Sequence, residues 1–194
     1  PISADLDVLR PSVLPYLLAA AKRNAYRGYP DTGLFEVGPA FRDDTPTGQD
    51  AVAAGVRHGN NGPRHWRDAP NGSNVYDAKA DALAVLAAVG APVDNLQISA
   101  DAPAWVHPGR SGTLRLGKAV LAYFGEVHPK VLRRLDDRGP AAAFEVFLDQ
   151  VPQPKQKGGK ARASLKTSAF QPVHRDLAFV VDRDVGAEQI LRSA

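Results

Sequence analysis

The sequence predicts an α+β fold, an antiparallel sheet flanked by helices. Three observations carry this. Two segments, 11–27 and 75–89, repeat apolar residues at helical spacing. Short apolar runs lie between and after them. One pair, 113–116 and 119–125, is separated only by Gly117-Lys118, and a leading Gly suits the first central position of a two-residue hairpin turn. The third observation is the order of the elements. Helices and strands mix, with turns rather than helical crossovers between adjacent strands, which favours an antiparallel sheet over a doubly wound parallel one.

Taken in order, 1–10 is acidic at Asp5 and Asp7 and reads as extended. In the first helix Val13, Leu14, Leu17, Leu18, Ala21 and Ala25 form one apolar stripe. Ser12 is placed as N-cap, Pro15 fits the first turn and Gly28 ends the helix. Lys22, Arg23 and Arg27 stand at the C-terminal end, where positive charge suits the helix dipole. A strand is expected over 34–41. Glu36 interrupts its apolar run, either as a functional acid or, the reading preferred here, as a side chain turned to solvent. A loop over 43–49 and a second strand over 51–58 follow.

The loop 59–73 carries Arg64, His65, Trp66 and Arg67. Basic residues beside an aromatic suit RNA contact; a Trp-anchored loop lying on its own domain is the simpler reading. Asn74 and Asp77 form a capping pattern for the helix over 75–89, with Val75, Ala78, Ala82, Leu83, Leu86 and Val89 as its buried face and Gly90 as its end. A short strand over 96–99 leads to the stretch 106–129, in which each arm of the hairpin is bounded by His-Pro. The loop 107–111 leading into the hairpin offers Arg110 and glycine backbone as a phosphate or carboxylate clamp, against a turn whose Arg packs structurally, which is preferred. His107 and His128 lack Cys or carboxylate partners at ligand spacing, so no metal site is expected. A helix over 129–136 and a strand over 144–148 complete the block.

From 151 the composition changes. Pro152, Pro154, Gly158 and Gly159 alternate with Lys155, Lys157, Lys160, Arg162 and Lys166, and no apolar period survives. This is a basic Pro/Gly linker, equally readable as a solvated tether or as a contact for RNA phosphates. An apolar strand over 175–182 and a helix capped by Asp184 end the chain. The expected domains are 1–150, the linker 151–168, and 169–194.

Composition narrows the class further. The 194 residues suffice for one sizeable core plus a small second piece. No Cys means no disulfides and no thiolate metal sites, and fits a reducing compartment. No Met, with Pro at position 1, reads as an excised or processed piece. No apolar run is long enough to cross a membrane, and no secretory signal pattern opens the chain. A net charge of +3 does not by itself imply nucleic acid.

Seven pieces in order are more specific than any one motif: Ile2-Ser3-Ala4-Asp5-Leu6, then Leu9-Arg10-Pro11-Ser12-Val13-Leu14-Pro15, Leu34-Phe35-Glu36-Val37-Gly38, Tyr76-Asp77-Ala78-Lys79, His107-Pro108-Gly109-Arg110-Ser111, Phe124-Gly125-Glu126-Val127-His128-Pro129 and Pro172-Val173-His174-Arg175-Asp176-Leu177-Ala178. Together they resemble the C-terminal half of the bacterial phenylalanine–tRNA ligase beta subunit. The resemblance implies that 1–150 is a class II aminoacyl-tRNA synthetase-like core and that 169–194 is the start of a ferredoxin-like anticodon-binding domain, an incomplete β-α unit. It implies a cytoplasmic assembly of two alpha and two beta subunits acting on tRNA, with ATP and magnesium used by the complete ligase and no cofactor held by this stretch. Phe41-Arg42-Asp43-Asp44 faintly resembles the first catalytic motif of class II enzymes, with Asp44 where Glu is usual. The late Gly-rich motif with its second Arg is missing after Ala141. Half of that constellation cannot neutralise a triphosphate and orient acyl attack, so no catalytic residue is assigned. The core reads as a structural portion that binds the alpha subunit and contacts tRNA. The rival readings are an active adenylate-forming enzyme, resting on Arg42, and a free-standing RNA-binding module, resting on the Arg64–Arg67 loop and the linker.

Overall fold

The computed structural model describes residues 7–62, 66–67, 69–153 and 168–193. The chain divides into two compact units, 1–155 and 156–194.

The first unit is built on helix α1 (Leu14–Tyr26), strands β1 (Thr32–Phe41) and β2 (Gln49–His58), helix α2 (Val75–Ala88), strands β3 (Gln97–Ser99), β4 (Val106–Leu116) and β5 (Ala119–Val127), helix α3 (Pro129–Arg134) and strand β6 (Ala141–Phe147). The six strands form one sheet in the order β1-β2-β6-β5-β4-β3, and every neighbouring pair is antiparallel. The alternating pleat gives the sheet two apolar faces. On one, α2 packs Ala78, Ala82 and Leu86 against Leu114, Leu121, Phe124, Phe144 and Val146. On the other, α1 packs Val13, Leu14, Leu17 and Leu18 against Val52, Ala54, Val56 and Ala143, with α3 contributing Val131 and Leu132.

Local signals set most element ends. Both long helices close with a left-handed glycine. At α1, Gly28 (φ 92°) and Tyr29 donate their N–H groups back to the carbonyls of Ala25 and Asn24, both at 3.0 Å. At α2, Gly90 (φ 82°) and Ala91 do the same to Ala87 and Leu86. The capping box of α2 forms as expected: Asn74 Oδ1 accepts from Tyr76 N–H at 2.9 Å and Asp77 Oδ2 accepts from Asn74 N–H at 2.8 Å. Gly117 (φ 60°) leads the two-residue turn that pairs Leu116 with Ala119.

Several expectations are corrected. The residue at the N-cap of α1 is Val13, not Ser12; the Ser12 hydroxyl accepts from Leu14 N–H at 3.2 Å. Glu36 does not turn to solvent. It lies on the α1 side of β1 and pairs with Arg10 at 2.6 Å, while the apolar Phe35 and Val37 face outward. Val89 ends α2 at 40% exposure rather than joining its buried face. The stretch 107–111 is not a loop but part of β4, where four residues bulge opposite Glu126 between the pairs Val106–Val127 and Ser111–Gly125. A bulge places Pro108 where no ladder bond is needed. Strand β6 begins at Ala141, three residues earlier than its aromatic run suggests.

In the second unit, among the described residues, 175–182 forms no strand, contrary to the expected β-α unit. Its apolar residues are exposed, Val180 fully and Leu177 at 64%. A strand gains its bonds from a neighbour, and none lies beside this one among the described residues of its unit. Helix α4 (Ala187–Ser193) does form, starting later than Asp184, with the Gln189 side chain accepting from Gly186 N–H at 3.2 Å.

Candidate functional site

The least covered part of the first unit is the β1 end of its sheet. Among the described strands β1 pairs with β2 alone, so it is an edge strand; at its far end Arg10 covers that edge, its carbonyl accepting from Phe41 N–H and its Nε donating to the Pro39 carbonyl, both at 2.9 Å. Helix α2 lies over β5, β6 and part of β2, which, among the described residues, leaves the same face of β1 without a helix above it. The result is an open groove of about 470 Å³ floored by Phe35, Val37, Ala53 and Gly55 and walled by Ala84, Val85 and Phe144. Phe35 is 79% and Val37 63% exposed. A side chain at Gly55 would collide with the Phe144 ring, so glycine is what lets that ring lie flat on the floor. The polar end of the groove is closed by Arg57, whose Nε and Nη2 donate to Asp81 at 2.6 and 2.8 Å. No nucleophile faces this space, and its single cation is already paired. The chemistry it offers is apolar contact beside the part of an edge strand that Arg10 does not cover, the features of a protein interface.

The residues that resemble a catalytic motif lie at the far end of β1. Arg42 is paired to Asp50 at 2.7 Å and donates to the Thr47 carbonyl at 3.3 Å. Asp43 is spent on the turn, accepting from the Thr45 N–H at 2.9 Å and hydroxyl at 2.6 Å, and the hydroxyl bond above all holds its carboxyl below the usual range. An arginine that grips a nucleotide phosphate must be free to leave its own carboxylate; this one closes a hairpin.

The other residues singled out from the sequence are dispersed. Arg110 pairs with Glu126 at 2.6 Å across the β4 bulge, so the carboxylate it clamps is the protein's own. His107 and His128 stack at 6.4 Å, and each Nδ1 accepts a backbone N–H, from Gly109 at 3.1 Å and Lys130 at 3.0 Å. Among the described residues no three or more His, Cys, Asp or Glu gather at one point. Trp66 is 89% exposed, so its ring does not anchor its loop by burial, and Arg67 beside it is exposed too. Arg64, Lys155, Lys157, Lys160, Arg162 and Lys166 lie outside the described residues.

Two buried polar groups went unnoticed in the sequence. His58 (3% exposed) presents Nε2 to Asp137 Oδ1 at 3.0 Å and Nδ1 to the Pro30 carbonyl at 2.8 Å. Glu145, 6% exposed on β6, accepts from the Ser12 hydroxyl at 2.9 Å under the start of α1. Burial pushes the Glu145 carboxyl up, against the opposing pull of Ser12 and the Val13 N–H. A carboxyl raised in the folded state binds its proton more tightly there than when unfolded. Its stabilising contribution is therefore present at acid pH and lost as pH rises through the folded value. Glu145→Gln should remove that loss and make stability fall less between pH 4 and 8, as read by urea unfolding. A variant less stable than the wild type at pH 8 with the same pH slope would contradict this.

Solved structures of similar fold are tRNA synthetases. One structure of the pyrrolysyl tRNA synthetase of Desulfitobacterium hafniense matches with a TM-score of 0.53 and 17% identity, covering 73% of this chain and 48% of that one. A second structure from the same organism gives 0.53 and 16%, covering 75% and 50%. The class is thus that of the class II tRNA synthetase fold: a six-stranded antiparallel sheet with helices on both faces. Residues 1–148 match the phenylalanyl tRNA synthetase beta chain CLM domain, and the chain belongs to that family. Among curated relatives, the phenylalanine–tRNA ligase beta subunit of Rhodospirillum rubrum is 55% identical over 194 residues and that of Paramagnetospirillum magneticum 53%. Each alignment takes in all of this chain, which spans 24% of the relative's length.

Proposed function

We propose that this chain is a structural portion of a phenylalanine–tRNA ligase beta subunit: it docks the alpha subunit and contacts tRNA, while ATP, magnesium and the acyl-transfer chemistry belong to the complete ligase. The observation that carries this is the state of the would-be catalytic cation. Arg42, the cation of the stretch that faintly resembles a class II motif, is neutralised by Asp50 in a hairpin, and the second arginine motif is missing after Ala141. What remains of a synthetase core is its sheet and an uncovered face. The β1 edge and the groove beside Phe35 and Val37 suit the alpha subunit, because they combine apolar area with backbone groups that await a partner. The relatives' names support an alpha partner and tRNA; a cytoplasmic assembly of two alpha and two beta subunits is the form proposed. The segment 169–194 is read as the opening of an anticodon-binding domain, joined through the basic segment 151–168.

Phe35→Glu combined with Val37→Glu tests the docking face. Both side chains are exposed, so the fold should tolerate the change, whereas two charges in an apolar interface are expected to weaken assembly with the alpha subunit at least tenfold. The measurement is co-purification of the full-length subunits at matched concentration. Undiminished assembly would place the alpha subunit elsewhere.

A further inference from the structure

The C-terminal ends of α1 and α3 come together on the sheet face opposite the groove. Lys22 of α1 donates to the Leu135 carbonyl at 2.7 Å and pairs with Asp136 at 3.4 Å, and the Tyr26 hydroxyl donates to Asp136 Oδ2 at 3.2 Å. This juxtaposition gathers cations that are far apart in sequence. Arg23 and Arg27 stand one turn apart on α1; Lys130, Arg133 and Arg134 ride on α3; Arg138 follows in the loop to β6. All six are exposed. Among the described residues none of the six takes part in an ion pair, in contrast to Arg10, Arg42, Arg57, Arg110, Arg115 and Arg192, each of which holds a carboxylate. The nearby acids are already engaged: Asp136 by Lys22 and Tyr26, with Arg138 acting on it through space, and Asp137 by His58 in the interior. Beside the arginines, Tyr26 and Tyr29 are 71% and 69% exposed. A shallow basic hollow of about 600 Å³ between Ala104, His128 and α3 adjoins them.

We propose that this α1–α3 surface is a docking site for the phosphate backbone of RNA, with the two tyrosines as platforms for unpaired bases. The inference rests on the reading of the chain as part of a tRNA ligase but names a surface that reading does not supply. Positive charge at helix ends alone would complement the helix dipoles. Dipoles do not explain why five of these cations go without carboxylates, nor why exposed aromatic rings stand near them. A sequence-tolerant contact with nucleic acid requires both features. An acidic protein partner would call for paired recognition of carboxylates across a broad apolar area; here Ala104 and Val131 are the only apolar side chains among those lining the hollow.

The test uses the full-length beta subunit assembled with its alpha subunit, and an unmodified tRNA transcript as probe. Affinity is measured across a salt series for the wild type, for the quadruple variant Arg23→Gln, Arg27→Gln, Arg133→Gln, Arg134→Gln, for Lys118→Gln as an exposed control in the hairpin turn, and for the linker variant Lys155→Gln, Lys157→Gln, Lys160→Gln. Each lost phosphate contact lowers the slope of log affinity against log salt by about 0.7–0.9, so the quadruple variant should lose about 3 from the slope and bind at least tenfold more weakly. Lys118→Gln should change neither, and thermal unfolding of the quadruple variant should match the wild type. An unaltered slope in the quadruple variant overturns the proposal. If the linker variant alone weakens binding, the RNA-contacting reading stands without this surface; if neither does, both fail. Loss of alpha-subunit assembly with intact RNA binding would assign the surface to an acidic protein instead and overturn the proposal as well.

Discussion

Leu18→Ala is expected to lower the stability of the first unit by about 2–5 kcal/mol, the range for deleting a buried leucine. Leu18 is 4% exposed and sits among Val13, Leu14, Leu17, Val52 and Val56, the last three 7%, 0% and 2% exposed. These side chains are fixed by the sheet on one side and by the helix backbone on the other, so the cavity cannot collapse freely and the loss should fall in the upper half of that range. For a unit of this size the melting temperature should drop by about 2–4 °C per kcal/mol. The same truncation at Leu83, only half-buried at the margin of the α2 core, should cost less. Equal losses at the two positions would mean that α1 does not hold its face of the sheet as described.

Asp137→Ala should be comparably damaging for a different reason. His58 and Asp137 are both buried, and Asp137 Oδ1 also accepts from Gly139 N–H at 3.1 Å. The His58 ring packs directly on Gly139, where any side chain would collide with it. A carbonyl and a carboxylate can only accept, so each ring nitrogen of His58 faces an acceptor. Removing Asp137 leaves that ring enclosed with half of its bonding unmet. Losses of about 3–5 kcal/mol are expected when one member of a buried pair is removed. The pair joins the loop before β1, the end of β2 and the turn before β6, so the loss should appear as a shift of the whole urea transition. A loss below about 1 kcal/mol would show that the pair is incidental.

How much of this was legible in the sequence depended on whether the signal was local. The α2 capping box, the two glycine C-caps and the Gly117-Lys118 turn act within a few residues, and they were read correctly. The facing of β1 was not. Phe35 and Val37 look like core residues, yet they point outward because α2 covers β5 and β6 and stops short of the sheet's end, a fact of sheet order that a strand's own residues do not encode. Pro108-Gly109 reads as a breaker; the strand absorbs both in a bulge set by the register of β5. The apolar run 177–181 has strand composition, but a strand also needs a neighbour. The His58–Asp137 pair spans 79 positions, and the basic surface spans more than a hundred between Arg23 and Arg133; neither leaves a trace in local spacing. Of the candidate residues, Arg42 and Arg110 each face a carboxylate across a strand pair, Asp50 and Glu126, partners that follow from register and not from the residues beside them.

On the proposed reading this synthetase-like core does no adenylation chemistry. The decisive measurement is phenylalanine-dependent exchange of pyrophosphate into ATP by the complete ligase, carrying Arg42→Ala in this chain. The arginine closes a hairpin through a half-exposed pair with Asp50, and a pair open to water contributes little, so exchange should stay within about twofold of the wild type. A hundredfold loss of exchange, with assembly and tRNA binding intact, would mean that Arg42 grips a nucleotide after all.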